Sequence, residues 1–257
     1  MQSISVTAVI ITFNEESKIK QCLDSVSFCD EIIVVDSGSE DRTREISQQC
    51  GATVIIQEWL GYGPQKKFAV EQAKNNWVLC LDADEVVSDE LHTSIIGVDF
   101  NDKATAAYKM PRRNHFMGKP LFHGEGYPDW SLRLFNRLFG NWSNDAVHEG
   151  VEIEGKVGKL TGDLLHYSEE SITSYLSKQN RYTQLQAEAL FKKNKRASSM
   201  QCLSSPLSRF IKFYFLRLGF LDGLPGFVHI SIGCFNAFCK YSKLYELQIA
   251  DKNKTAR

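Results

Sequence analysis

The feature that most limits what this chain can fold into is the alternation in its first hundred residues. Short β-branched, apolar runs recur at 6–13, 32–35, 52–56 and 77–81. Between them, 15–26, 42–50 and 64–75 carry apolar residues at helical spacing, such as Ile19, Cys22, Leu23 and Val26. Ser39 or Asp41 offers a cap for the second helix, and Pro64 lies in the first turn of the third. Val- and Ile-rich strands separated by helices are buried on both faces and pair in parallel. The expected fold is α/β: a doubly wound, mostly parallel sheet with helices on both faces. Such a sheet binds ligands at the carboxyl ends of its strands.

Those ends carry polar residues. The first run closes on Thr12-Phe13-Asn14-Glu15, the second on Asp36 and the fourth on Asp82-Ala83-Asp84-Glu85. Helix capping would account for some of them. The pair Asp82 and Asp84 has a more specific use: where the chain turns after a strand, both carboxylates approach one divalent cation. Mg2+ and Mn2+ take carboxylate oxygens and keep positions open for phosphate. A cation so placed stabilises a diphosphate leaving group.

Other phosphate and metal chemistries lack their motifs. There is no Gly-x-x-x-x-Gly-Lys-Ser/Thr, and no Gly-x-Gly-x-x-Gly follows the first strand. Gly61-Tyr62-Gly63 reads as a flexible turn. His148-Glu149 lacks the second histidine of a zinc hydrolase helix.

Residues 100–165 look irregular and are rich in Gly, Trp, Phe and His, which suits an acceptor site. Residues 171–191 read as a helix with Ile172, Tyr175, Leu176, Tyr182, Leu185 and Ala189 on one face. The charge is divided along the chain. Residues 1–174 hold 16 Lys and Arg against 27 Asp and Glu, whereas residues 175–257 hold 14 against 4. A basic, aromatic tail of this kind meets an anionic surface, with Lys and Arg on phosphates and Phe, Leu and Tyr in the headgroup boundary. Packing or dimerisation of the same apolar faces is the alternative. No nucleic-acid motif accompanies the charge, so no nucleic-acid partner is expected.

The uncharged stretch 223–239 contains Pro225, Gly226 and Gly233 and is a poor membrane span. Seven cysteines without a Cys-x-x-Cys, and a first segment without a basic region, point to a reduced, cytoplasmic protein. The expected organisation is an α/β domain over 1–170 in two halves (1–100 and 101–170). A helical, basic-aromatic extension over 171–257 follows it.

Residues 5–100 resemble the nucleotide-binding half of a family 2 glycosyltransferase with the GT-A fold. The resemblance rests on Ile10-Ile11-Thr12-Phe13-Asn14-Glu15, on Val34-Val35-Asp36-Ser37-Gly38-Ser39-Glu40-Asp41 and on Leu81-Asp82-Ala83-Asp84-Glu85. Thr12 stands where the family usually has Pro. Three further segments are similar to bacterial lipopolysaccharide core β-1,4-glucosyltransferases, which use UDP-glucose and act on inner-core heptose. They are Pro128–Arg137, Val147-His148-Glu149 and Tyr214–Gly223. The resemblance implies that Thr12, Asn14 and Glu15 line the nucleotide pocket and that Asp36 bonds the uracil or ribose. It also implies that Asp84 ligates Mg2+ or Mn2+ with Asp82 beside it. It makes 1–100 the nucleotide-binding half and 101–170 the acceptor half of a glycosyltransferase domain. The partners it implies are a UDP-sugar, a lipid-linked glycan and the inner face of the bacterial inner membrane.

An inverting transferase needs a base to deprotonate the acceptor hydroxyl, and a carboxylate suits that role. Asp129 and Glu149 compete for it; Glu149 is favoured, with His148 placed to orient it. Arg133 joins the metal in stabilising the departing UDP. Two alternatives stand beside this reading: a nucleotidyltransferase that makes nucleotide sugars, and a non-catalytic nucleotide-sugar or glycan-binding protein.

Overall fold

The computed structural model describes residues 4–102, 104–143, 150–168 and 171–255. The chain forms two units. The first joins Met1–Arg113 to Asp129–Tyr167, and the second joins Asn114–Pro128 to Ser168–Arg257.

In the first unit, β1 (Ile4–Thr12), β2 (Cys29–Asp36), β3 (Thr53–Ile56) and β4 (Trp77–Asp82) alternate with α1 (Ile19–Ser25), α2 (Thr43–Gln49) and α3 (Tyr62–Glu71). The four strands run parallel in the order β3-β2-β1-β4. Side chains of β1 alternate between two cores, as strand geometry requires. Val6, Ala8 and Ile10 pack with Ile19, Cys22 and Leu23 of α1, while Val9 and Ile11 pack with Ala69 and Val70 of α3. The register puts Thr12 beside Asp36 and Ile11 beside Asp82, so the polar strand ends share one edge.

The third helix begins earlier than expected. Tyr62 and Gly63 form its first turn behind Gly61, whose φ of 100° suits glycine. The Gly-Tyr-Gly segment is therefore a helix start, and Pro64 sits inside that first turn.

Most of the described residues between 105 and 166 lie in strands, which corrects the expectation of irregular structure. β5 (Glu85–Val87) precedes α4 (Asp89–Ile96), whose first turn is capped by Ser88 Oγ accepting from Leu91 N. β6 (Thr105–Phe116) and β8 (Asp129–Asn136) pair antiparallel, and β8 also pairs antiparallel with β4. β11 (Lys156–Lys159) lies parallel to β6, and β12 (Leu164–His166) antiparallel to β5. β9 (Gly140–Trp142) and β10 (Val151–Ile153) make a separate two-stranded sheet. Lys109, Pro111, Arg112 and Arg113 break the apolar pattern of β6. The two arginines are held in the sheet by ion pairs, Arg112 with Asp129 and Arg113 with Asp163.

In the second unit, β7 (Lys119–Pro120) folds back on the end of β6. α5 (Ile172–Lys192) and α6 (Ser199–Phe210) are capped by Ser171 and Ser198. A π-helical turn Ile211–Leu216, a 3-10 turn Gly219–Asp222 and α7 (Gly223–Thr255) follow. The expected apolar face of α5 is buried only in part: Tyr175 packs against Phe116, but it is not the most buried face. Thr183 and Ala187 are buried, whereas Ile172 and Leu176 are exposed. α7 reads α5 through polar groups: Lys243 Nζ donates to Asn180 O and to Thr183 Oγ1, and Asn236 Nδ2 donates to Gln179.

Asp222 accepts from the amides of Phe122 and His123 and from His123 Nδ1 at 2.9 Å. Glu125 pairs with Arg209. A Cβ on Gly219 would stand 2.7 Å from Phe213 O, so only glycine fits that approach. All seven cysteines are free. Among the described residues no single helix is long and apolar enough to cross a membrane. The stretches Ser199–Leu216 and Gly219–Asn253, bent by 75°, pass that test only as a pair.

Candidate active site

The loops after β1 and β2 interlock. Asn14, held at a φ of 53°, donates its amide to Ser39 Oγ at 2.8 Å, and its Oδ1 accepts from Glu40 N at 2.8 Å. Glu15 N donates to Thr43 Oγ1, and Glu16 N to Asp41 Oδ2. Arg42 N returns a bond to Glu16 Oε2. Asp36 is fully buried and organises the second loop. Its Oδ1 accepts from Gly38 N and Ser39 N, and Ser39 Oγ donates to its Oδ2. Asp36 therefore caps the turn after its strand, while the start of α2 is held by Asp41, which accepts from Thr43 N.

At the end of β4, six charges of alternating sign form a chain: Asp129, Arg112, Glu85, Arg133, Asp82 and Lys66. Arg112 donates to Asp129 through Nε (2.9 Å) and Nη2 (2.7 Å), and its Nη1 reaches Glu85 Oε1 at 3.4 Å. Arg133 Nη2 donates to the same Oε1 at 2.7 Å and to Asp82 Oδ2 at 3.1 Å. Lys66 Nζ donates to Asp82 Oδ2 at 3.2 Å and lies 3.0 Å from Oδ1. Glu85 is fully buried and also accepts from Asp82 N. Trp142 is flanked by both cations, Lys66 Nζ at 4.7 Å and Arg133 Cζ at 5.6 Å from its ring centre.

Burial alone would raise the Asp82 carboxyl, but Lys66 and Arg133 hold it well below the usual carboxylate range. Burial would lower the Arg133 guanidinium, and Glu85 and Asp82 more than reverse that. Both stay charged throughout the working pH range. Burial, together with the charges of Glu85, Asp84 and Asp82, pushes the Cys22 thiol far up, and burial pushes Cys80 up to about 12. These thiols are inert.

Asp84 takes a different partner from Asp82. Its Oδ2 lies 3.3 Å from His166 Nε2, and its carbonyl accepts from Tyr167 N. The β5–β12 register causes this, because His166 stands opposite Glu85, the next residue. A carboxylate and an imidazole, both part-exposed, fit a divalent cation that fills its other positions with phosphate oxygens. Among the described residues no three His, Cys, Asp or Glu side chains cluster as a self-sufficient cage. Two buried donors near this site, Thr12 Oγ1 and Arg133 Nε, have no hydrogen-bond partner among the described residues. Both can donate to an acceptor such as a phosphate oxygen.

Of the residues singled out from sequence, Thr12, Asn14, Glu15 and Asp36 stand on the two interlocked loops. Asp82, Arg133 and Asp129 stand on the charge chain, and Asp84 beside His166. Glu149 and His148 lie outside the described residues. Sequence reasoning missed Lys66, Glu85 as a hub, Arg112 and His166. Lys66 had a legible signal: with Ala69, Val70 and Ala73 it completes an i, i+3, i+4, i+7 stripe, and a lysine on a core stripe needs a buried counter-charge.

The glycosyl transferase family 2 profile matches residues 7–149. A Rickettsia typhi protein named as a glycosyltransferase is 35% identical, covering 98% of this chain and 90% of its own. The lipopolysaccharide core biosynthesis glycosyltransferase LpsC of Rhizobium meliloti is 30% identical, covering 95% and 93%. Among solved structures, a mannosyltransferase from Pyrobaculum calidifontis, in complex with GDP-Man and Mn2+, shares the fold. Its TM-score is 0.51 at 17% identity, over 93% of this chain and 84% of that one. Glucosyl-3-phosphoglycerate synthase from Mycobacterium tuberculosis, in complex with Mn2+ and UDP-glucose, gives 0.50 at 16% identity, over 75% and 80%. The two solved structures share the GT-A fold, and the family profile and the two relatives show the family. The chain belongs to glycosyl transferase family 2.

Proposed function

We propose that this glycosyltransferase transfers a hexose, glucose from UDP-glucose, with inversion, to an inner-core heptose of lipopolysaccharide or a similar lipid-linked glycan at an anionic membrane. The reading rests on one observation: Asp82, within its chain of charges, ends its strand beside Ile11 at the edge where the Thr12–Asn14 loop begins, and Asp84, paired with His166, follows two residues later. The kinship with LpsC supports a lipopolysaccharide-type acceptor. The UDP-glucose and Mn2+ of the mycobacterial synthase and the Mn2+ of the archaeal enzyme are consistent with the proposed donor and metal.

In this reading Asp84 and His166 would hold Mg2+ or Mn2+, which when bound would supply positive charge that stabilises a diphosphate leaving group. The chain's own residues do the rest. Thr12, Asn14, Glu15 and Asp36 shape the nucleotide pocket. Asp82 stays ionised between Lys66 and Arg133, and those two cations face the developing charge on the diphosphate from a fixed position. Glu149 takes the proton from the acceptor hydroxyl, with His148 orienting it. Asp129 is the second candidate base, but its grip by Arg112 favours a positioning role.

A screen of nucleotide sugars, following UDP release with a lipopolysaccharide-core acceptor and Mn2+ and resolving the product linkage, tests the proposal. The expected result is turnover with UDP-glucose giving a β-linked product. Turnover with no nucleotide sugar, or with a non-uridine donor alone, overturns it.

A further inference from the structure

The second unit leaves an apolar stripe on its surface that its own fold does not use. α6 buries none of its side chains. Met200, Leu203, Leu207 and Ile211, spaced three and four apart, are 76%, 71%, 62% and 46% exposed. The π turn carries the stripe onward through Phe215 and Leu216, at 54% and 75%. An unpartnered stripe of this kind marks an interaction surface.

Charge selects the occupant. From Ala189 to Leu221 the sequence has seven Lys and Arg and no Asp or Glu. Arg209 is spent on Glu125, but Lys212 and Arg217 are exposed beside the stripe, and the 192–196 cluster precedes it. A twofold contact between two copies would set this basic surface against itself, which like-charge repulsion disfavours. An anionic lipid surface complements both the charge and the apolar stripe.

Geometry selects how it binds. Ser199–Leu216 spans roughly 27 Å at 1.5 Å per residue, short of the ~30 Å hydrocarbon core, and carries Arg209 and Lys212 along its length. α7 is not free to complete a span, because Ile230, Ile232, Ala237 and Leu244 are buried within the unit.

We propose that α6 and the π turn after it form an in-plane anchor that sinks this stripe into the headgroup boundary of an anionic bilayer. The proposal deepens the lipid-linked-acceptor reading and rests on it. The decisive experiment is co-sedimentation of the full chain with phosphatidylcholine vesicles, with and without phosphatidylglycerol. Wild type is expected to pellet with the anionic vesicles, less so at high salt. Leu203→Glu/Leu207→Glu should weaken that binding by roughly tenfold or more, with UDP affinity unchanged.

A wild type that ignores anionic vesicles overturns the membrane reading and the anchor together. A folded double variant that binds as well as wild type overturns the anchor alone. Should the double variant fail to fold, Leu203→Trp with brominated lipids decides: quenching beyond that of wild type supports insertion, and its absence overturns it. A wild-type dimer in sedimentation that the double variant abolishes, with vesicle binding intact, assigns the stripe to a second copy and also overturns the anchor.

Discussion

Arg112 stands opposite Asp129 in the β6–β8 ladder and grips its Oδ2 with two nitrogens, at 2.9 and 2.7 Å. The same guanidinium reaches Glu85, so Asp129 is tied to the buried end of the charge chain. A carboxylate held in this way positions strands and neighbours.

That relationship separates the two candidate bases. Asp129→Asn should lower kcat by about tenfold or less, the loss expected when a hydrogen-bonding partner remains. Glu149→Gln should lower it by roughly a hundredfold or more, the contribution of a general base, with UDP-glucose affinity nearly intact. Steady-state kinetics with calorimetric donor titration checks both. The reverse ranking would make Asp129 the base.

Asp84→Ala and His166→Ala should each abolish the Mn2+-dependent part of UDP affinity while leaving the metal-free part unchanged. Calorimetry with and without Mn2+ reads this directly. Normal Mn2+-dependent affinity in Asp84→Ala would mean that the cation is held elsewhere.

Glu85→Gln should destabilise the first unit by about 3–5 kcal/mol, since Arg133 would be left buried with only part of its counter-charge. Denaturant unfolding monitored through the buried Trp142 and Trp77 provides the measurement. A loss under about 1 kcal/mol would show that the site relaxes around the missing charge.

Glu31 gives a pH signature away from the site. It accepts from Thr7 Oγ1 at 2.8 Å and Lys74 N at 2.9 Å, and its Oε1 lies 3.1 Å from Lys74 Nζ. Burial alone would raise this carboxyl, but Lys74 and Thr7 hold it below the usual range. A depressed native value adds stability above the unfolded value of about 4.3, and that stability is lost as pH falls through the native value. Wild type should exceed Glu31→Gln by roughly 1–2 kcal/mol at neutral pH, shrinking below about pH 4. A difference that does not change with pH would contradict this account.

The parallel half of the sheet was legible because β1, β2 and β4 are buried on both faces, so apolar residues run together in each, as in Ile32–Val35 and Trp77–Leu81. β6 and β8 were not, because Arg112, Arg113, Asp129 and Arg133 sit within them and hide the strand pattern. Those charges are tolerated because each meets an opposite charge brought from elsewhere in the chain, Arg112 and Asp129 each other, Arg113 Asp163, and Arg133 Glu85 and Asp82, a long-range condition that no local window contains. The Asp82-Ala83-Asp84 segment was visible as a motif, yet its division of labour was not. Asp82 turns to Lys66 of α3 and to Arg133 of β8, and Asp84 to His166 of β12, partners brought in by a helix 16 residues before Asp82 and by strands that follow much later in the chain. On α5, Thr183 and Ala187 are buried where larger apolar residues were expected, because Lys243 of α7 hydrogen-bonds that seam.

The discontinuity of the second unit bears on how the protein is made. Asn114–Pro128 leaves the ribosome about a hundred residues before Asp222, which receives the amides of Phe122 and His123, and well before Arg209, which neutralises Glu125. During that interval the early segment has none of these partners. Closing so long a stretch of chain carries an entropic cost that only the late contacts offset. The second unit is therefore completed only after residues 209–222 have emerged, and a nascent chain stalled before residue 209 should leave 114–128 open to proteases.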